Sequence, residues 1–102
     1  MRTPISGIVL GFRIIKGAAK DASDYGKLFI VQAADKDHDA DLIPVYVQEI
    51  DAIDYLLKNY SNGQLRWIDV YCNQVASGRE MVWMLEKIFS ISTDQIYVEG
   101  VS

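Results

Sequence analysis

At 102 residues, half of them hydrophobic and 24% charged, the chain is long enough to bury one core and too apolar to be a disordered segment. A formal net charge of −4 and a pI near 4.7 argue against a broadly basic surface of the kind that grips nucleic acid or an anionic membrane. The single cysteine, Cys72, excludes an intramolecular disulfide, and no apolar run approaches the ~20 residues of a membrane span.

One domain covering residues 1–102 is expected. Gly7, Gly11 and Arg13 interrupt the apolar N-terminal stretch, so it does not read as a signal peptide, and a reducing, cytoplasmic setting is the simplest expectation. The average charge conceals a local pattern. Arg13, Lys16, Lys20 and Lys27 fall in the first quarter, and Asp35, Asp37, Asp39 and Asp41 follow directly.

In chain order, Ile8, Leu10, Phe12 and Ile14 alternate with their neighbours at the period of a strand, over about 5–16. A small, polar loop leads to a second strand at about 27–33, and the two pair as a hairpin with a long connection. A third strand, about 43–48, carries Pro44, whose missing N–H suits a sheet edge or a strand start. Asp51 reads as a helix N-cap before Ile53, Leu56, Leu57 and Tyr60, giving a helix at about 52–60 closed by Asn62 or Gly63. Residues 65–73 form a fourth strand, with Ile68, Val70 and Cys72 on one face and Leu65, Trp67 and Tyr71 on the other. Asp69 between the two aromatics implies that this second face is partly wet.

Residues 79–91 read as a helix, because Met81, Val82, Met84, Leu85, Ile88 and Phe89 gather on one helical face. Ser77 and Glu80 have capping-box spacing, and Met, Leu, Glu and Lys favour helices. A short strand at 95–98 closes the chain. The expected fold is an α+β domain, a mostly antiparallel sheet with helices at about 52–60 and 79–90 on one face.

No catalytic or metal constellation stands out, so no enzyme, cofactor or metal is expected. The alternating aspartates at 35–41 have part of a calcium loop, but Ala40 stands where the turn needs glycine and Tyr46 where a bidentate glutamate should close the site. His38 is the sole histidine, and Cys72 in its apolar setting reads as a structural thiol. What remains is a surplus of aromatics beside acidic charge. This pattern points to a non-catalytic interaction module, of inhibitor, immunity or regulatory type, that docks a basic protein through Trp83, Trp67, Tyr71, Asp35, Asp37, Asp39 and Asp41. A second copy of the chain, as a homodimer, is one cover for the Trp67 and Tyr71 face.

The stretch 16–31, with Tyr25, Gly26, Lys27 and Phe29, together with Ile43-Pro44-Val45 and the span 67–88, also resembles the small single-stranded-DNA-binding proteins of filamentous phages. That resemblance implies an OB-like β-barrel with 79–91 as a strand. It further implies that Lys16, Lys20, Lys27, Phe29 and Lys87 hold the nucleic acid by charge and stacking.

Overall fold

The computed structural model describes residues 2–17, 23–34, 36–37 and 39–92. Five strands and one helix follow one another as β1 (Arg2–Ile15), β2 (Tyr25–Gln32), β3 (Asp41–Val47), α1 (Ile50–Ser61), β4 (Trp67–Ser77) and β5 (Glu80–Ser92). The strands close into a barrel in the order β1-β2-β3-β5-β4. All contacts are antiparallel except that between β3 and β5, where Val45 pairs with Trp83 and Tyr46 with Met84 in parallel. The α+β sheet with two helices on one face is therefore corrected to the OB-like barrel. The second helix, at 79–90, is a strand. The strand expected at 95–98 lies outside the described residues.

Inward side chains of all five strands meet in one core. Ile5, Leu28, Ile30, Val45, Val47, Ile68, Val70 and Cys72 are almost completely buried. α1 packs against β1 and β2 and contributes Ile53 and Leu56 to the same cluster. Its N-cap is Glu49, in an extended conformation, instead of Asp51, which lies in the first turn. At its other end Gly63, not Asn62, takes the left-handed φ of 73°.

β1 departs from the simple alternation expected of it. Its register shifts between Val9 and Gly11, so that Leu10 is an extra residue pushed outward and 62% exposed. The inward set is Ile5, Gly7 and Val9 before the bulge, and Phe12 and Ile14 after it. A bulge flips the side-chain parity and tightens the local bend, which lets one 14-residue strand pair with β4 through its first half and β2 through its second. Pro44 sits opposite Phe29 of β2, while the pairing with β5 starts only at Val45.

Gly7 is required by a close approach. A Cβ there would run into the backbone carbonyl of Val31 and lie 2.8 Å from a methyl of Ile30. Backbone on β2 cannot give way as a side-chain tip could. Gly7→Ala should accordingly lower stability by about 1–3 kcal/mol, read from the midpoint of urea unfolding. An unchanged midpoint would mean that β1 and β2 do not approach as closely as they do here.

Candidate nucleic-acid interface

On β2 the residues between buried Gly26, Leu28 and Ile30 point outward, and they are Tyr25, Lys27, Phe29 and Val31. The strand register carries this face sideways. Arg13, Lys27 and Tyr46 form one row across β1, β2 and β3, and Gly11, Phe29 and Pro44 form the next. Gly11 leaves room for the neighbouring ring, since a Cβ there would only touch Phe29 at 4.0 Å.

The Lys27 Nζ lies 5.4 Å from the centre of the Phe29 ring and 5.3 Å from that of Tyr46. Tyr46 in turn meets Tyr25 at 5.7 Å between centroids, tilted by 56°. Each ring attracts the ammonium through its quadrupole, so the charge is held above the sheet while the rings keep surface open between strands. Arg13 is exposed at the edge of the same row. At the end of the hairpin, Lys16 Nζ pairs with Asp24 at 3.1 Å, both side chains well exposed. That pair, with a second hydrogen bond from the Gly17 N–H, holds the Asp24 carboxyl below its ordinary value.

Beside Tyr25 and Tyr46 the surface dips into a cleft of about 320 Å³, whose far wall is the end of the β4–β5 hairpin, with Val75, Ala76, Ser77, Val82 and Met84. The hairpin turns at Gly78, whose φ of 64° suits the first central position of a two-residue type II′ turn.

The other sequence-predicted site residues are placed elsewhere. Trp83 is half-buried on β5 and packs against the core, so it is not the solvent-ringed anchor that the helix reading required. Trp67 and Tyr71 lie on the outer face of β4, which is separated from β2 and Lys27 by β1. Tyr71 carries Arg2 over its ring at 5.5 Å and meets Phe89 edge-on at 6.2 Å. Asp37, Asp39 and Asp41 line a separate depression with Ser6 and Gln32, while Asp35, His38 and Lys20 lie outside the described residues. Lys87 shares a groove with Glu49, Asp51, Tyr55 and Phe89, away from Lys16, Lys27 and Phe29. Cys72 is fully buried, and burial, with a smaller push from Glu86, raises its thiol to about 12, so it presents no nucleophile.

No family model matches the sequence, and no curated protein matches it either. The structure is similar to that of the mitochondrial single-stranded DNA binding protein Rim1 of S. cerevisiae, with a TM-score of 0.61 over 90% of this chain and 96% of that one, at 12% identity. A small single-stranded DNA binding protein from Mycoplasma pneumoniae is similar with a TM-score of 0.57, over 95% and 92% of the two chains, again at 12% identity. The fold is an OB barrel. At such identities the likeness establishes architecture, and the barrel order and the helix between β3 and β4 agree with it. It overturns the interaction module that docks a basic protein. That reading rested on a helix carrying an exposed Trp83, and the architecture found instead is shared with single-stranded DNA binding proteins.

Tyr25, Tyr46 and Arg13 escaped the candidate sets drawn from sequence. The first had a usable signal, since Tyr25, Lys27 and Phe29 alternate at period two. The others required the register across three strands.

Asp69 explains the polar interruption of the Trp67 and Tyr71 face. It accepts hydrogen bonds from Ser90 Oγ at 2.6 Å and from Trp67 Nε1 at 3.4 Å, and the Ser6 hydroxyl, the Ser90 hydroxyl and the Trp67 ring hold its carboxyl below the usual 3.8. This ties β1, β4 and β5 together on their outer side. Because the folded-state value is depressed, the contribution is present at neutral pH and is lost as pH falls below about 4. Asp69→Asn should therefore be about 1–2 kcal/mol less stable than the parent at pH 7, with the gap closing in acid. A gap in urea midpoints that is constant from neutral pH down to acid would remove this role.

Proposed function

We propose that the protein binds single-stranded DNA on the outer face of β2 and β3, without catalysing a reaction. The observation that carries the proposal is the Lys27 ammonium held between the Phe29 and Tyr46 rings, with Tyr25 beside Tyr46. In OB barrels this face and the loops at its ends commonly take up oligonucleotides. Unpaired bases expose π-faces that stack on aromatic side chains, and phosphates between successive bases need a cation close to those rings. Lys27 and Arg13 supply that charge, with Lys16 at the edge, where a phosphate would compete with Asp24. The likeness to single-stranded DNA binding proteins supports the same reading.

Affinity on such a surface comes from stacking more than from counterion release. With three cations in reach, log K should fall against log salt with a slope of about −2. Titration of oligothymidylate by fluorescence anisotropy tests this. Phe29→Ala and Tyr46→Ala should each cost about 1–3 kcal/mol of binding. Lys27→Ala should weaken binding and flatten the salt slope by about 0.7, whereas Lys87→Ala should bind as the parent does. Absence of oligothymidylate binding by the folded parent at low salt would refute the proposal.

A further inference from the structure

The cleft between the barrel and the β4–β5 hairpin continues the aromatic strip. One wall is the pair Tyr25 and Tyr46, the second belonging also to the Lys27 cage. The opposite wall is apolar, from Val75, Val82 and Met84, and it stands on a hairpin whose residues 74–81 are exposed. Met84 is paired to Tyr46 across the parallel contact, so the two walls are fixed to each other by backbone. Gln48 and Ser77 supply the polar rim, and neither side chain makes a hydrogen bond among the described residues.

A flat occupant with two apolar faces and a hydrogen-bonding edge fits this arrangement. A phosphate or sugar does not, since among the described residues no cation lines the cleft and its walls are mainly rings and aliphatic side chains. On the reading of the β2–β3 face as a single-stranded-DNA surface, we propose that the cleft receives one nucleobase turned out of the stack, with a tyrosine ring against one face and the hairpin against the other. A carboxamide such as that of Gln48 carries a donor and an acceptor side by side, which matches the edge of an unpaired base. The cleft therefore fixes where along the bound strand the protein sits. Without it the strip would treat all bases alike.

The test uses the shortest oligothymidylate that still binds, in versions carrying a single abasic site at each position in turn. One position should cost about tenfold more affinity than the others. Ala76→Trp, which fills the cleft from its hairpin side and leaves Phe29 and Lys27 untouched, should weaken the intact oligonucleotide by a similar factor and erase the extra cost at that position. Gln48→Ala, on an exposed side chain, should weaken the intact oligonucleotide several-fold and the one lacking that base not at all. It gives the same answer if Ala76→Trp does not fold. Equal costs at every position, or variants that retain the parent's pattern, would overturn the nucleobase cleft while leaving the β2–β3 surface in place. Loss of all binding by the parent would overturn both.

Discussion

Barrel closure rests on a very short contact, the parallel pairing of Val45 with Trp83 and Tyr46 with Met84. Without it the sheet would be open between β3 and β5, and Val45, Leu28 and Val70, now completely or almost completely buried, would lose their cover on one side. Closure also abolishes the exposed edges that an open sheet would offer to other chains. Trp83 accounts for why two residue pairs suffice. It is half-buried and packs on the core cluster with Leu85, Ile88 and Ile91, adding a large apolar contact to the few hydrogen bonds at the seam. The tryptophan that looks like a surface anchor in the sequence is a fastening of the barrel.

The same seam determines the candidate site. Tyr46 stands on β3 at the last point where β3 still touches β5, and its neighbours on either side are Lys27 from β2 and Met84 from β5. Flat outer face and cleft therefore meet at one residue because the barrel closes there. The β4–β5 hairpin reaches beyond the barrel, pairing out to Ser77 and Glu80, and supplies a wall that the barrel alone would lack.

Most strands were legible in the sequence because long stretches keep period two, and α1 because its apolar positions keep the helical one. β5 misleads for a physical reason. Register shifts between Asp69 and Val70 and between Tyr71 and Cys72 leave Phe89 and Glu86 unpaired as extra residues. The residues that reach the core are then Trp83, Leu85, Ile88 and Ile91, spaced by two, three and three. Two bulges in one strand thus imitate a helical repeat, in a segment whose Met, Leu, Glu and Lys also favour helix. Leu10 in β1 shows the same effect on a smaller scale. Lys27 and Phe29 are named through the resemblance to the phage single-stranded-DNA-binding proteins. Arg13 and Tyr46 are not, since they reach Lys27 only through pairings to two different strands.

On the proposed reading net charge is likewise a poor guide to the site, because it averages over a surface that is not uniform. Asp41 lies at the start of β3 and Tyr46 five residues on, about 17 Å at roughly 3.3 Å per residue. At physiological ionic strength charges decay over about 8 Å, so the acidic loop is some two screening lengths from the Lys27 cage. Glu49 and Asp51 sit at the start of α1, in a groove that shares no lining residue with the Tyr25 and Tyr46 cleft. Among the described residues of the β1–β2 hairpin, the acidic group is Asp24, and it is already paired with Lys16. The two rows that carry the rings, Arg13-Lys27-Tyr46 and Gly11-Phe29-Pro44, contain no carboxylate. On the proposed reading the acidic remainder would act at longer range, opposing accumulation of polyanion at low salt. Salt that weakened the Lys27 and Arg13 contacts would also screen that repulsion, so an acidic OB barrel whose affinity rests on rings would tolerate salt better than a basic one of equal affinity.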